Sequence, residues 1–308
     1  MKKLIGVAIL TKMLLLGTSV HAQEQARGIS SDDDIIVTAR RSDERLQDVP
    51  ISITVLDSDA ITKRNIYNAG DLGAYVPSLS TNSQYGPQKS SFSIRGFVQE
   101  GRTSPSVGVY FADVVAARAN TGTTSGNGAG VGSFMDLQNV QVLKGPQGTL
   151  FGRNTTGGAI LLVPAKPTDR LEGSIEGTIG NFDARRVQGV INIPLSDTFR
   201  VRAAVDRHKA DGYLRNRNEM GKSRLGDTDY IAARLSIVGD LTPDLENYTI
   251  FSYSRSNTNG VVPKYFACDT SPPAGTLAEA LAPLGCAQVA RAKARGDGFW
   301  DVDDHNPN

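Results

Sequence analysis

Leu171-Glu172-Gly173-Ser174-Ile175-Glu176-Gly177-Thr178-Ile179 places apolar residues or glycine at every odd position and polar residues at every even one. A period of two is that of a strand with two unlike faces. The pattern resumes after Asn181-Phe182-Asp183. Val187, Gly189, Ile191 and Ile193 occupy one face, with Arg186, Gln188 and Asn192 opposite. Beyond the turn Pro194-Leu195-Ser196-Asp197, Phe199, Val201, Ala203 and Val205 alternate with Arg200, Arg202, Asp206 and His208. Two further strands are expected at 229–239 and 245–254, joined by Leu241-Thr242-Pro243-Asp244. Segments of about ten residues with one apolar and one polar face are the signature of a transmembrane β-barrel. A soluble sandwich gives the same alternation. Arginines as large as Arg200 and Arg202 on the inner face suit a wet lumen better than a packed core. The expected fold is a transmembrane antiparallel β-barrel, of which about five strands are present, behind an N-terminal mixed α/β domain.

That upstream domain spans residues 46–166. Ile51, Ile53 and Val55 alternate with Ser52 and Thr54 as in a half-buried strand. Ser58 is placed to cap a short helix over 59–64. Asn68, with Asp71 three residues on, is placed to cap another that ends before Pro77. Strands are expected at 91–94, 107–111, 140–143 and 159–163, and a loop over the glycine-rich run 121–132. The glycines make no nucleotide site. Residues 126–131 lack the spacing of a dinucleotide fingerprint, and 148–153 lack the Lys-Ser or Lys-Thr of a phosphate loop. Neither Ser93 nor Ser133 lies in a G-x-S-x-G elbow.

Composition removes other classes. The 308 residues hold 33 Lys plus Arg against 32 Asp plus Glu, a net charge of +1, without the basic excess of a nucleic-acid binder. Three His and two Cys leave little room for a metal centre or a thiol redox site built from side chains. No catalytic residue, metal ligand or cofactor is expected. Met1-Lys2-Lys3, a largely apolar run from Leu4 to Leu16 and Val20-His21-Ala22 have the layout of a secretory signal peptide over residues 1–22. The run is too short to span a membrane as a helix. From Gln23 to Asp33 the chain is small and polar, as in a disordered tether. Next come Ile35-Ile36-Val37-Thr38-Ala39 and Arg40-Arg41, a β-branched run with no partner nearby in sequence. It reads either as the first strand of the following domain or as an extended segment offered to another protein's sheet edge.

Four stretches, in order, resemble the TonB-dependent outer-membrane receptors of the ferric-siderophore type. Asp34-Ile35-Ile36-Val37-Thr38-Ala39-Arg40 resembles the TonB box. Leu46-Gln47-Asp48-Val49-Pro50-Ile51-Ser52-Ile53 resembles the opening of the plug domain, and Ser93-Ile94-Arg95-Gly96-Phe97 its Ile-Arg-Gly turn. Val140-Gln141-Val142-Leu143-Lys144-Gly145-Pro146-Gln147-Gly148-Thr149-Leu150-Phe151-Gly152-Arg153-Asn154 resembles the longest motif, continued by Gly157-Gly158-Ala159-Ile160. The resemblance implies a signal peptide at 1–22, a flexible periplasmic segment at 23–45 with the TonB box at 34–39, and a plug domain at 46–167. Residues 168–308 are then the first strands of an incomplete barrel, ending in an extracellular loop. It also implies that Arg95 and Lys144 pair with carboxylates on the barrel wall. Gly96, Gly145, Pro146, Gly152 and Arg153 belong to the same motif turns. The long motif usually carries Glu where Gln141 stands and Arg where Lys144 stands. Lysine offers a point charge where arginine grips a carboxylate bidentately, so a looser lock is expected.

The implied function is active uptake of a large ligand, in this family most often a ferric siderophore, across the outer membrane of a Gram-negative cell. TonB, with its inner-membrane energising complex, would capture residues 35–39 by strand pairing, and outer-membrane lipid would surround the wall. Vitamin B12, saccharides and aromatic compounds are the family's other ligands. The 11 residues from Gln23 to Asp33 leave no room for an extra signalling domain. A secreted enzyme on a β scaffold is the competing class. No nucleophile–base or metal motif supports it, and His208 and His305 have no partner at a recognisable spacing. In the family the plug enters from the periplasm, so the strand from Leu171 runs outward. The turns at 194–197 and 241–244 are then periplasmic, and 210–228 and 255–308 extracellular. Plugged transporters have roughly 22 strands, so about a quarter of a barrel is expected here. Cys268 and Cys286 share the last loop, and a bridge between them would constrain it by about 3 kcal/mol on the loop-entropy model. Mass spectrometry of the unreduced protein is expected to find them joined; two free thiols would refute the pairing.

Overall fold

The computed structural model describes residues 35–82, 90–98, 104–116, 134–218, 221–262 and 264–304. The expected signal peptide, the tether with Asp34, the loop at 121–132 and His305 lie outside the described residues. The chain divides into two units, 1–36 and 37–308. Of the first, Ile35 and Ile36 are described, and both are exposed. The second unit holds the rest of the described residues.

Its first layer is a mixed α/β domain. Strand β1 (Ile53–Asp57) leads into α1 (Ser58–Lys63). Asp57 caps α1, its carboxylate accepting from the Ala60 N–H at 2.6 Å. The helix begins one residue earlier than the expected 59–64, which puts Asp57 rather than Ser58 at the cap. Asn68 and Asp71 form the expected capping box, on a 3-10 helix over Ala69–Ala74 rather than an α-helix. There follow β2 (Leu79–Asn82), β3 (Ser91–Ile94), β4 (Val107–Phe111), β5 (Val114–Val115), β6 (Leu137–Lys144), a single turn α2 (Gly148–Phe151) and β7 (Gly158–Pro164). The main sheet has the order β1-β6-β7-β4-β5. Its β4–β7 pair is parallel and the rest antiparallel. Strands buried on both faces read as near-continuous apolar runs, and β6 and β7 do so. On one side lie Leu56, Ile94, Val140, Val142, Ile160 and Leu162. On the other lie Tyr110, Leu143, Phe151, Ala159 and Leu161.

The remainder holds β8 (Glu172–Gly180), β9 (Ala184–Ser196), β10 (Phe199–Ala210), short strands β11 (Leu214–Asn216) and β12 (Arg224–Leu225), β13 (Thr228–Thr242), β14 (Leu245–Ser256), helix α3 (Leu277–Arg295) and β15 (Asp301–Val302). The five long strands pair antiparallel in the order β8-β9-β10-β13-β14. The alternation comes out as read. Leu171, Ile175 and Ile179 are 75%, 83% and 88% exposed, while Arg186, Asn192, Asp206 and Arg234 on the other face are buried. An apolar outside and a polar inside is the reverse of a soluble sandwich. Among the described residues no helix is long and apolar enough to cross a membrane. Where β7 runs into the wall, Lys166 pairs with Glu246 at 2.9 Å and the Thr168 N–H donates to Asn192 Oδ1 at 2.9 Å.

The long connections carry more structure than their sequence suggested. The strands β12-β11-β15 form a second small sheet around Leu214, Leu225 and Val302. Helix α3 lies inside the segment read as a plain loop. Its signals were local. The Thr276 hydroxyl accepts from the Glu279 N–H, the Glu279 carboxylate accepts from the Gly275 N–H, and Gly296 closes the helix in the left-handed region. Pro283 within the helix masks them. A disulfide joins Cys268 to Cys286, Cα–Cα 5.1 Å, tying α3 to the coil before it. Arg215–Asp301, Arg217–Asp297 and Arg295–Asp303 ion pairs close the same region.

Gly158 shows how closely β6 and β7 approach. Its φ is +153°, and a Cβ there would stand 2.2 Å from the Leu143 carbonyl oxygen. Gly158→Ala is expected to cost the domain about 3 kcal/mol or more, seen as a lower melting temperature. An unchanged melting temperature would contradict this packing.

Candidate coupling segment and plug–wall seam

Residues 37–45 lie packed on the α/β domain, although the segment was expected to be flexible. Val37 and Ala39 are fully buried against Val49, Leu143, Phe151 and Ala159. Their spacing of two sends both side chains inward and leaves Thr38 between them. The Thr38 N–H donates to Gln141 Oε1 at 3.2 Å. Gln141 Nε2 in turn donates to Asn139 Oδ1 at 3.0 Å and to Thr38 Oγ1 at 3.4 Å. Gln141 is fully buried in the middle of β6. An amide is donor and acceptor at once, whereas an ionised carboxylate only accepts. A glutamate at 141 could take the Thr38 N–H but would give nothing to Asn139 or the Thr38 hydroxyl. Beyond Ala39 the chain turns at Arg41, φ 62°. The Arg41 guanidinium donates to the Leu150 carbonyl at 2.9 Å and lies 5.1 Å from the Phe151 ring centre. Arg40 grips Glu44 with two hydrogen bonds of 2.8 and 2.9 Å, holding the Glu44 carboxyl below its ordinary value.

The motif turns meet one another. Arg95 (φ 53°) and Gly96 (φ 80°) follow β3, and Gly145 (φ 110°) follows β6. A Cβ on Gly145 would sit 3.4 Å from Arg95 Nη1, an ordinary contact, so the two turns adjoin and what calls for glycine there is the backbone angle. Gly152 ends α2 at φ 76°, ψ −160°, a conformation essentially confined to glycine. Pro146 and Arg153 are exposed and Lys144 is half-buried. Among the described residues neither Arg95 nor Lys144 has a carboxylate partner on β8–β14, whose ion pairs involve other groups.

The charged grip runs in the opposite sense. Asp136, at φ 50° just before β6, reaches the wall's inner face. Arg202 of β10 grips its carboxylate at 2.6–3.1 Å, and Arg234 of β13 holds it at 3.0 Å while also donating to the Asp136 carbonyl. All three side chains are largely out of water, at 6%, 15% and 3% exposure. Met135 packs beside them against Ala204 and Ala232. Further along, Arg186 pairs with Asp206 at 2.9 Å, and the Tyr230 hydroxyl donates to the same carboxylate. Tyr67 lies over the Arg186 guanidinium at 4.1 Å. Between α1 and β8–β9 is a cavity of about 170 Å³ lined by Ser58, Ile61, Thr62, Tyr67, Glu176 and Gln188. Among the described residues no cluster of His, Cys, Asp or Glu is grouped to hold a metal ion. Sequence reading placed Arg202 on the inner face but missed Asp136 and Arg234. The available signal was that buried arginines need a carboxylate.

Residues 45–159 match the family model of the TonB-dependent Receptor Plug Domain. The chain is 27% identical over 186 residues to the pesticin receptor of Yersinia pestis, covering 60% of this chain and 26% of that protein. It is 27% identical over 218 residues to a vitamin B12 transporter of Vibrio vulnificus, covering 70% of this chain and 33% of that protein. Its structure resembles the ferric yersiniabactin uptake receptor from Yersinia pestis with a TM-score of 0.58 at 24% identity, over 66% of this chain and 31% of that one. The chain thus spans about a quarter to a third of the length of these relatives.

The Gln141 amide sets how tightly 37–45 is held. Gln141→Ala removes hydrogen bonds worth about 1–2 kcal/mol, so trypsin should cut after Arg40 or Arg41 roughly tenfold faster through local opening. An unchanged cleavage rate would show that the amide does not hold the segment.

Proposed function

With a TonB-dependent receptor plug domain over residues 45–159 as the premise, we propose that this chain is the N-terminal part of an outer-membrane receptor for active uptake of a large ligand. Resemblance to the ferric yersiniabactin uptake receptor supports a ferric siderophore as that ligand. Resemblance to a vitamin B12 transporter supports the non-iron alternative. Three His and two Cys fit a metal carried by its own chelator rather than held by side chains.

The docking of Val37, Thr38 and Ala39 on β6 is the observation that carries the mechanism. Residues 34–39 act as the TonB box. While Val37 and Ala39 are buried, the segment cannot serve as a strand for another sheet. Ligand bound at the outer face shifts the equilibrium toward the undocked segment by its differential affinity for that state. TonB then captures the freed residues by strand pairing and pulls. Residues 1–22 are removed on export. The turns at 194–197 and 241–244 face the periplasm, and the region holding α3 and the Cys268–Cys286 bridge faces outward. Outer-membrane lipid covers Leu171, Ile175 and Ile179. Arg95 and Lys144 meet carboxylates on wall strands other than β8–β14, because a five-strand sheet with two open edges is completed by further strands in a bilayer.

Deleting residues 34–39 from the full receptor should abolish energised uptake while leaving ligand binding at the cell surface intact. Uptake at the undeleted rate would overturn the mechanism.

A further inference from the structure

The apolar outer face of the wall ends, on one side only, in a row of cations. Ile175 is aligned with Gly189, Gly189 with Val205 and Val205 with Ala233, so these residues share that face. Residues two apart keep the same side. On the same face Arg185 stands opposite Lys209, and Ile231 stands between Arg207 on β10 and Arg255 on β14. None of the four basic residues is buried. Among the described residues β8–β14 carry no other lysine or arginine on this face. From Val187 to Leu195 the face of β9 is apolar or glycine, about 27 Å along the strand, which on a tilted strand is close to the height of a barrel's apolar band. The cations begin where that band ends. Tyr253, 58% exposed and two residues before Arg255, marks the border, the usual place of an interfacial aromatic. At the opposite end the face closes with Leu195 and Phe199.

Two carboxylates meet the row. Asp183 pairs with Arg185 at 2.7 Å and Asp229 with Arg207 at 2.6 Å. Arg207 also donates to the His208 and Tyr230 carbonyls at 2.9 and 2.8 Å, which holds its guanidinium at the rim. Asp211 and Asp227 lie beyond the ends of β10 and β13, and Asp227 accepts from the Asn259 N–H at 2.7 Å. Lys209 and Arg255 make no ion pair among the described residues. Four cations against two carboxylates leave an excess of two positive charges beside the hydrocarbon. From β9 to β14 the row crosses three strand spacings, about 14 Å, wider than a single phosphate group. Building on the proposed uptake function, which sets this rim outward, we propose that it binds the head group of an outer-leaflet lipid bearing two phosphates. Lys209 and Arg255 offer the open charges, and the planar forks of Arg185 and Arg207 turn from their carboxylates to phosphate oxygens. The acyl chains lie along Val205, Leu235 and Phe251, which are exposed on the same face.

Titration of the full receptor in detergent with diphosphoryl lipid A, read by native mass spectrometry, tests this. It needs neither transported ligand nor TonB, and the receptor lacking residues 34–39 should bind the lipid as its parent does, so failure of the uptake reading is scored separately. At about fivefold for each charge at a lipid surface, Lys209→Gln/Arg255→Gln should bind about 30-fold more weakly. Asp229→Asn should bind about fivefold more tightly, because it frees Arg207 while the two carbonyls keep that side chain in place. A role confined to folding would not strengthen binding, so this variant decides the matter if the double variant does not insert. Lipid A stripped of its phosphates should be lost with the detergent. Its retention at the parental affinity would overturn the proposal, as would unchanged binding in both variants. Displacement of the lipid by an equal concentration of inorganic pyrophosphate would show a site for free phosphate and would overturn it as well.

Discussion

Two arginines on the inner face of the wall, Arg202 and Arg234, share one carboxylate, Asp136 of the plug. Charges so far out of water are tolerated only when paired, and removing a partner from such a group costs about 3–5 kcal/mol. Neither layer is therefore complete without the other. The wall has its greasy face outward and its charged face inward, and the plug supplies the counter-charge and the packing that the inner face lacks. The Phe134 N–H donates to the Tyr67 carbonyl at 3.0 Å, and together with the register of β6 and β7 and the left-handed turn at Asp136 this places that carboxylate.

The coupling segment depends on a weaker and more reversible contact. Val37 and Ala39 fill an apolar recess, and one neutral amide, Gln141, meets both the N–H and the hydroxyl of Thr38. Hydrogen bonds of this kind contribute about 0.5–1.5 kcal/mol each. The burial of Val37 and Ala39 adds an apolar contribution to the same docking. The same strand thus bears a loose contact, at Gln141, and follows a firm one, at Asp136.

Much of this was legible in advance. The two-residue period from Leu171 to Val205 fixes which face of each strand is buried, because a one-residue slip would exchange the faces. The wall strands came out within three residues of their expected ends. Asn68 and Asp71 announced their capping box. Other features were not legible. Helix α3 was hidden by Pro283 and by the absence of a clear apolar stripe, though Thr276, Glu279 and Gly296 mark its ends. The packing of 37–39 was hidden because a β-branched pair looks the same whether it awaits a partner or already has one.

The sequence by itself determined the order of the layers, the inward placement of Arg186 and Arg202, and the glycine turns at 96, 145 and 152, since each follows from local period or from a backbone angle that favours glycine. Only the tertiary structure decided which charges meet. Asp136 lies 66 residues from Arg202 and 98 from Arg234. Nothing in the local pattern links them, and the pairing arises where the turn before β6 meets the inner faces of β10 and β13.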